Sequence, residues 1–584
     1  MSHTIARFFL VTFAILAFTF LLTPAGPLSA RGRGPNSLQP DSSAVIFTMV
    51  LQRNEPVSRG NFLILPSPNS HASTYAKSGS NGGGGGHKGG GGGTSGGGVP
   101  CCGGPLSFST GSSTYLSSTP VETPTNTQPE AEEEIAADPG NANNLVSAIS
   151  DFSSSAGYNN TKWALSVDGG TSWIQNFVPT DSSGLLLTND GSWDANSDPV
   201  VAMDKNENVY LSDLYLNVDS SGRITGEGLY VSTGQFGSLG TSNFTNTYPV
   251  LTNLHNGSTF NIEDKPWITV DNGSSGTSHS GTVFASWSHF TGCQNQYSPL
   301  YGAYVLTCSS DSIYLSYSTD QGKDWSTPVQ ISPSTQDGAV QGSQPAVGPD
   351  GKVYVAYEFF GSNNQRQQYL SVGTWGSGAL TFSTPFAVSP VFNELTFAGC
   401  STCSISYRVN SFPNIAVSPG GSGAGNVYLV YGGQATSTST AQVNFMACTG
   451  NCTTSNSFYG PANLDGNAAG EHFFPAISVD SNGVINTSWF DTRSNPSNPD
   501  YLDVYGAYLT YSSSSSSFTL SPNAEITAAP FDASEVNGFG DTSFIGDYIG
   551  IAATPGAAHP VWTDVTGILG YPLSGGLQTR TATY

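Results

Sequence analysis

The sequence predicts an all-β chain in which 131–584 form a β-propeller of four-stranded antiparallel blades behind a disordered N-terminal segment, and three observations carry this. Composition is the first. Of 584 residues, 70 are Gly, 26 Tyr and 31 Phe, and only 10% are charged, which suits many short strands joined by tight turns. A repeated strand is the second: Pro-x-(Ile/Val)-x-(Val/Met)-Asp recurs with variation from Pro199, Pro266, Pro345, Pro413 and Pro475, with looser copies around Ile135 and Ile549. Counted from Ile135, Val201, Ile268, Val347, Ile415, Ile477 and Ile549, the copies lie 62 to 79 residues apart, a period that fits one blade. The third is a turn, S-x-D-x-G-x-x-W, present at 166–173 and again at 318–325. Its Asp can accept N–H bonds across a hairpin, its Gly can take positive φ, and its Trp can pack beneath.

Seven copies favour seven blades, with six as the alternative if the first copy only decorates the ring. In each copy a Gly or Asn turn leads to a second, largely apolar strand, as at 209–212, 353–357 and 427–431, the pattern of an inner strand buried on both faces. The last copy ends without a fourth strand. Part of 105–116 is expected to supply it and close the ring, removing exposed edges.

Ahead of the propeller, Arg7, an apolar run over 8–22 and Leu28-Ser29-Ala30 mark 1–30 as a secretory signal peptide, with an uncleaved anchor as the alternative. Residues 31–130, rich in Gly, Ser and Pro, read as a disordered tether or pro-segment. Export makes the chain secreted or cell-surface and lets disulfides persist. Cys293 with Cys308 would close an insertion. Cys400 with Cys403 and Cys448 with Cys452 are expected as two local pairs rather than one zinc site, because they should lie at opposite ends of one blade. A net charge of -24 argues against nucleic acid or an anionic membrane surface as partner, and a monomer is expected.

The two boxes resemble the Asp-boxes of the sialidase-like (BNR-repeat) β-propeller superfamily, secreted bacterial type. The resemblance implies a structural role for Ser166, Asp168, Gly170, Trp173, Ser318, Asp320, Gly322 and Trp325. Successive strands of a blade are antiparallel, so first-strand starts and second-strand ends share the face opposite the boxes. That face gathers Glu134, Asp264, Lys265, Glu471, His472, Asp547 and Tyr548. On the sialidase pattern, Arg366, Arg408 and Arg493 would hold a substrate carboxylate, Tyr548 activated by Glu471 or Glu134 would be the nucleophile, and Asp264 the acid/base, with Lys265, His472 and Asp547 binding substrate. The family's Phe-Arg-Ile-Pro opening is absent, and the equivalent strand reads Glu134-Ile135-Ala136-Ala137.

Other readings stand beside these. Arg493 could pin a loop through Asp491 or Asp503, and two carboxylates across the central pocket could hydrolyse a glycoside without arginines. Asp190, Asp194, Asn196 and Asp198 offer oxygen ligands for calcium; no other metal or cofactor is expected. The expected function is engagement of extracellular glycans or glycoproteins, as an exo-sialidase or related glycoside hydrolase. The alternative is a non-catalytic glycan- or protein-binding propeller. Arginines converging on one pocket favour the enzyme, and arginines each locked to a local carboxylate favour the binder.

Overall fold

In the computed structural model the chain divides into Met1–Asp41, which lies outside the described residues, and Ser42–Tyr584. The residues described are 47–51, 62–66, 101–111, 118–120, 130–151, 160–255, 257–273, 279–298, 303–361, 364–395, 407, 409–437, 439–527, 530–533, 545–564 and 578–583.

Antiparallel strand pairing arranges the chain as a propeller. The first blade is Glu130–Asp138, Asn141–Asp151, Asn160–Ser166 and Ile174–Phe177 in consecutive order. The next, from Ala195–Met203 to Asn246–Leu254, repeats it. Among the described residues seven such units can be traced, with first strands beginning at Glu130, Ala195, Phe260, Val340, Asn414, His472 and Gly550.

Alternation along each inner strand sends apolar side chains to both faces of the blade, so the core is a series of seams between neighbours. Val201 and Met203 pack with Val146 and Trp163 between the first two blades. Ile477 and Ile485 pack with Tyr428 and Val430 between the fifth and sixth. Ala552 and Val561 of the seventh meet Ile135 and Leu145 of the first, which closes the circle. Side chains stitch adjacent first strands: the Ile477 amide donates to Asn414 Oδ1 at 3.0 Å and the Ala553 amide to Ser478 Oγ at 3.0 Å. Along the axis the first strands leave a cavity of about 550 Å³, bordered by Ile135, Val201, Ile268, Ala346, Ile415, Ile477 and Ile551.

The closing strand corrects the sequence expectation. It is Ser118–Pro120, paired with Gln578–Ala582, and not part of 105–116. Within 105–116, Phe108–Thr110 runs parallel to the outer strand of the sixth blade. A strand on a blade's outer edge needs no apolar run, so a Ser/Thr/Pro-rich stretch serves there. The strands described within the expected tether are thus paired with the propeller, including Phe47–Leu51 and Phe62–Pro66, whose backbones extend a hairpin of the third blade through Ala303–Thr307.

Both boxes make the same bonds. Ser166 Oγ accepts from Gly170 N at 2.9 Å and donates to Asp168 Oδ1 at 2.8 Å; Ser318 Oγ, Gly322 N and Asp320 Oδ1 repeat this at 2.9 and 2.8 Å. Each Asp then accepts an amide four residues on, from Ser172 or Asp324. Gly170 and Gly322 sit at φ 87° and 82°, where a Cβ would be strained. The Trp173 and Trp325 indoles donate to the Gly170 and Gly322 carbonyls and pack on the seam with the preceding blade.

Cys293–Cys308 and Cys448–Cys452 are disulfides, and Cys101 pairs with its neighbour Cys102. Cys400 and Cys403 lie outside the described residues.

Candidate functional site

A recurring distortion builds the centre of the face opposite the boxes. Near its start, the first strand carries one extra residue against the second, and the bulge residue takes positive φ: Glu132 at 60°, Asp198 at 56°, Lys265 at 50°, Gly342 at 66° and Phe474 at 47°. Such a bulge re-aims a side chain, and a non-Gly residue held there stores strain of the kind found at functional sites. Asp198, Lys265 and Phe474 also precede prolines, which restricts them further.

Three bulge residues meet a loop of the seventh blade. Lys265 Nζ forms an ion pair with Asp547 Oδ2, and Asn410 Nδ2 donates to the Asp547 carbonyl at 2.9 Å. Glu132 hydrogen-bonds Asp198, which also accepts from Ser197 Oγ at 3.2 Å. Burial first, then the Asp198 charge, push the Glu132 pKa well above the carboxylate range, and Lys265 offsets only part of this. Two carboxyls in contact cannot both ionise cheaply, so the setting of Glu132 favours its protonated form, whereas Asp547 is engaged by a cation. The Tyr548 hydroxyl donates to the Pro199 carbonyl at 3.1 Å, and its ring stands edge-on to Trp267 at 5.2 Å. Between Lys265, Asn410, Asp547 and Tyr548 lies a cavity of about 30 Å³, the volume of roughly one water molecule.

Of the residues the sequence put forward, Lys265, Asp547 and Tyr548 come together here. Tyr548 is not primed as a nucleophile. Burial, then the charges of Glu132, Asp198 and Glu134, raise its pKa well above 10, leaving a neutral phenol. Glu471 is not its partner: that carboxylate accepts the Ala441 amide at 2.6 Å between the fifth and sixth blades. Glu134 borders the axial cavity, burial raises its pKa, and its Oε2 has no hydrogen-bond partner. Asp264 sits opposite Ser288 on the seam where Glu227 and Glu263 both accept from Asn253 Nδ2, and its charge helps raise the Glu227 pKa after burial and the Glu263 charge.

The arginines do not assemble a carboxylate clamp among the described residues. Arg366 is buried against Glu358 at 2.9 Å and Glu394, and lies over the Phe360 ring at 4.6 Å. Arg493 grips Asp491 through Nε and Nη2 and lies over Tyr505 at 4.0 Å, the local pinning that its spacing allowed. Asp491 also receives His472 Nδ1 at 2.8 Å and Trp489 Nε1 at 2.8 Å, so His472 is part of the same clasp. Arg408 lies outside the described residues.

Calcium has no shared site here. Asp190 binds the Tyr230 hydroxyl, Asp194 the Val218 amide, Asn196 the Thr161 amide and Asp213, and Asp198 joins Glu132. No group of three or more His, Cys, Asp or Glu side chains placed to hold a metal occurs among the described residues.

No family model matches the chain, and no curated protein matches it significantly. The chain is similar to solved arabinan-acting and trans-sialidase structures. They include an alpha-L-arabinofuranosidase of Fusarium graminearum (10% identity, 68% of this chain and 97% of that one, TM-score 0.39), an alpha-L-arabinanase of Penicillium chrysogenum (10%, 81% and 98%, 0.38) and an intramolecular trans-sialidase from Ruminococcus gnavus (13%, 78% and 95%, 0.36). Likeness at this level assigns no residue and no reaction.

Proposed function

We propose that the chain is an exported glycoside hydrolase acting on uncharged glycans through its axial carboxyls. Glu132 is the general acid that protonates the leaving oxygen. Asp547, oriented by Lys265 and Asn410, is the carboxylate that takes a proton from water or attacks the sugar. The observation that carries the reading is the contrast between Glu132, buried against Asp198, and the cation-paired Asp547 at one strained centre, since glycoside hydrolysis needs one carboxyl that favours its proton and one that does not. An uncharged substrate is supported by Arg366 and Arg493, the described members of the expected trio, being engaged by their own carboxylates. The second reading, a non-catalytic glycan-binding propeller, is favoured by Arg366 and Arg493 each being locked to local carboxylates.

The test is turnover of neutral polysaccharides and aryl glycosides, with a sialoside alongside. Hydrolysis of a neutral glycan that falls about 10²–10⁴-fold in Glu132→Gln at unchanged melting temperature supports the hydrolase. Glycan-array binding without any turnover replaces it with the binder. Cleavage of the sialoside alone would refute the proposed substrate class. N-terminal sequencing of protein recovered from culture medium tests export through 1–30.

A further inference from the structure

The described stretch from Cys101 onward meets the outer edges of three consecutive blades. The Gly103 amide donates to the Phe458 carbonyl at 2.8 Å, and the Gly460 amide to the Gly104 carbonyl at 3.0 Å, on the fifth blade. Phe108–Thr110 then pairs with Phe518–Leu520 of the sixth, where the Gly111 amide donates to the Leu520 carbonyl at 2.7 Å and Phe108 meets Phe445 at 5.9 Å. Ser118–Pro120 completes the seventh. This belt begins at the Cys101–Cys102 disulfide. Cys101 packs on the apolar seam of the third and fourth blades and Cys102 on that of the fourth and fifth.

Cys102 has φ 84°, a conformation that an L-residue outside a constraining ring leaves readily. A bond between adjacent cysteines closes such a ring. Gly103 follows at once, and a Cβ there would lie 2.4 Å from the Asn456 carbonyl oxygen, so the backbone beside the disulfide is pressed against the fifth blade. The bond is also within reach. Cys101 and Cys102 are half-buried, whereas Cys293, Cys308, Cys448 and Cys452 are 4% exposed or less, and thiol–disulfide exchange requires access to a sulfur.

We propose that Cys101–Cys102 is a redox modification site that latches the belt, with a dithiol reductant as its co-reactant. In the reaction the Cys101–Cys102 S–S bond breaks and both residues gain thiols, while the two electrons and two protons come from the reductant, which closes its own disulfide. Reduction releases Cys102 from its left-handed conformation and loosens the adjoining backbone on the fifth and sixth blades.

The experiment uses the full chain. Dithiothreitol is titrated in, thiols are trapped with iodoacetamide, and mass spectrometry reads alkylation and amide exchange together. The expected result is that Cys101 and Cys102 are alkylated before the other disulfide cysteines, and that exchange over 103–111 then accelerates about tenfold. Cys101→Ala/Cys102→Ala is expected to show that faster exchange without reductant and no further change over 103–111 with it. Should this variant fail to fold, the wild-type titration decides. Alkylation of Cys101 and Cys102 with unchanged exchange over 103–111, or of either cysteine before reductant is added, overturns the proposal.

Discussion

Asp311 shows how one residue's burial becomes a property of the protein. Its Oδ1 accepts the Val340 amide at 3.0 Å across the seam of the third and fourth blades, and burial pushes its pKa up to about 7. A carboxyl with a raised folded pKa contributes stability that is full below its unfolded value near 3.8 and lost as pH rises through about 7. Roughly three units at about 1.36 kcal/mol each set a limit on the order of 4 kcal/mol. Asp311→Asn, which keeps the acceptor and removes the charge, is therefore expected to raise the urea midpoint relative to wild type at pH 8, and by less than half as much at pH 5. An equal effect at both values would show that the carboxyl does not titrate in this window. Asp491 is the opposite case. Burial alone would raise its pKa, but the His472 and Arg493 bonds overcome this and lower it. Asp491→Ala leaves His472 and Arg493 without that carboxylate, and a loss of about 3–5 kcal/mol is expected in equilibrium unfolding at pH 7; a loss below about 1 kcal/mol would mean the clasp is ornamental. Sequence offered Asp491 as a partner for Arg493, which the structure pairs with it, but gave no partner for Arg366. Arg366 finds Glu394, 28 residues on, only once the fourth blade has folded. Burial consumed the charges that the sialidase pattern would have turned toward substrate.

At the scale of elements, the box hairpins were the most legible part of the chain, because their bonds are local. Serine, aspartate, glycine and tryptophan at fixed offsets specify the turn before any blade packs on it. Removing the aspartate should therefore act locally: Asp320→Ala deletes the acceptor of the Asp324 amide and of Ser318 Oγ, and a loss of about 1–3 kcal/mol is expected from thermal or urea unfolding. The same change should leave the proposed hydrolysis, per folded molecule, unaffected, since the box and the axial centre lie at opposite ends of the blade. A fall in kcat without a fall in stability would contradict that division. The bulges were not legible, because register against a partner strand creates them and glutamate, aspartate, lysine and phenylalanine occupy positions usually taken by glycine. A signal was nonetheless present. Asp198, Lys265 and Phe474 each stand immediately before the proline of the repeat, and Glu132 lies within the acidic run 130–134. A charged residue at that offset marks where the first three blades turn a side chain toward the axis.

For the whole molecule, the period of the repeat predicted a ring, while the strand that closes it was shifted by a few residues. The reason is energetic. A blade's inner strands are selected by burial on two faces, but an outer strand is held by backbone bonds to one neighbour, which Ser118, Thr119 and Pro120 satisfy as well as any apolar trio. Closure therefore rests on pairing between distant parts of the chain, Thr119 opposite Thr581 and Ala582 opposite Ser118, and on the seam that joins Ile135 and Leu145 to Ala552 and Val561. Only the first of these depends on residues before Glu130. A chain starting at Glu130 would keep the seam but leave Gln578–Ala582 as an open edge, and would lose the parallel strand on the sixth blade, whereas one starting at Cys101 would keep both. The expected outcome is a melting midpoint lower by at least about 5 °C for the shorter chain, with concentration-dependent association through the exposed strand. The chain starting at Cys101 loses the 47–51 and 62–66 strands on the third-blade hairpin but keeps the closing strand, and should melt above the chain starting at Glu130. Equal midpoints for the two truncated chains, measured by calorimetry and light scattering, would mean that the seam of the first and seventh blades holds the ring shut by itself.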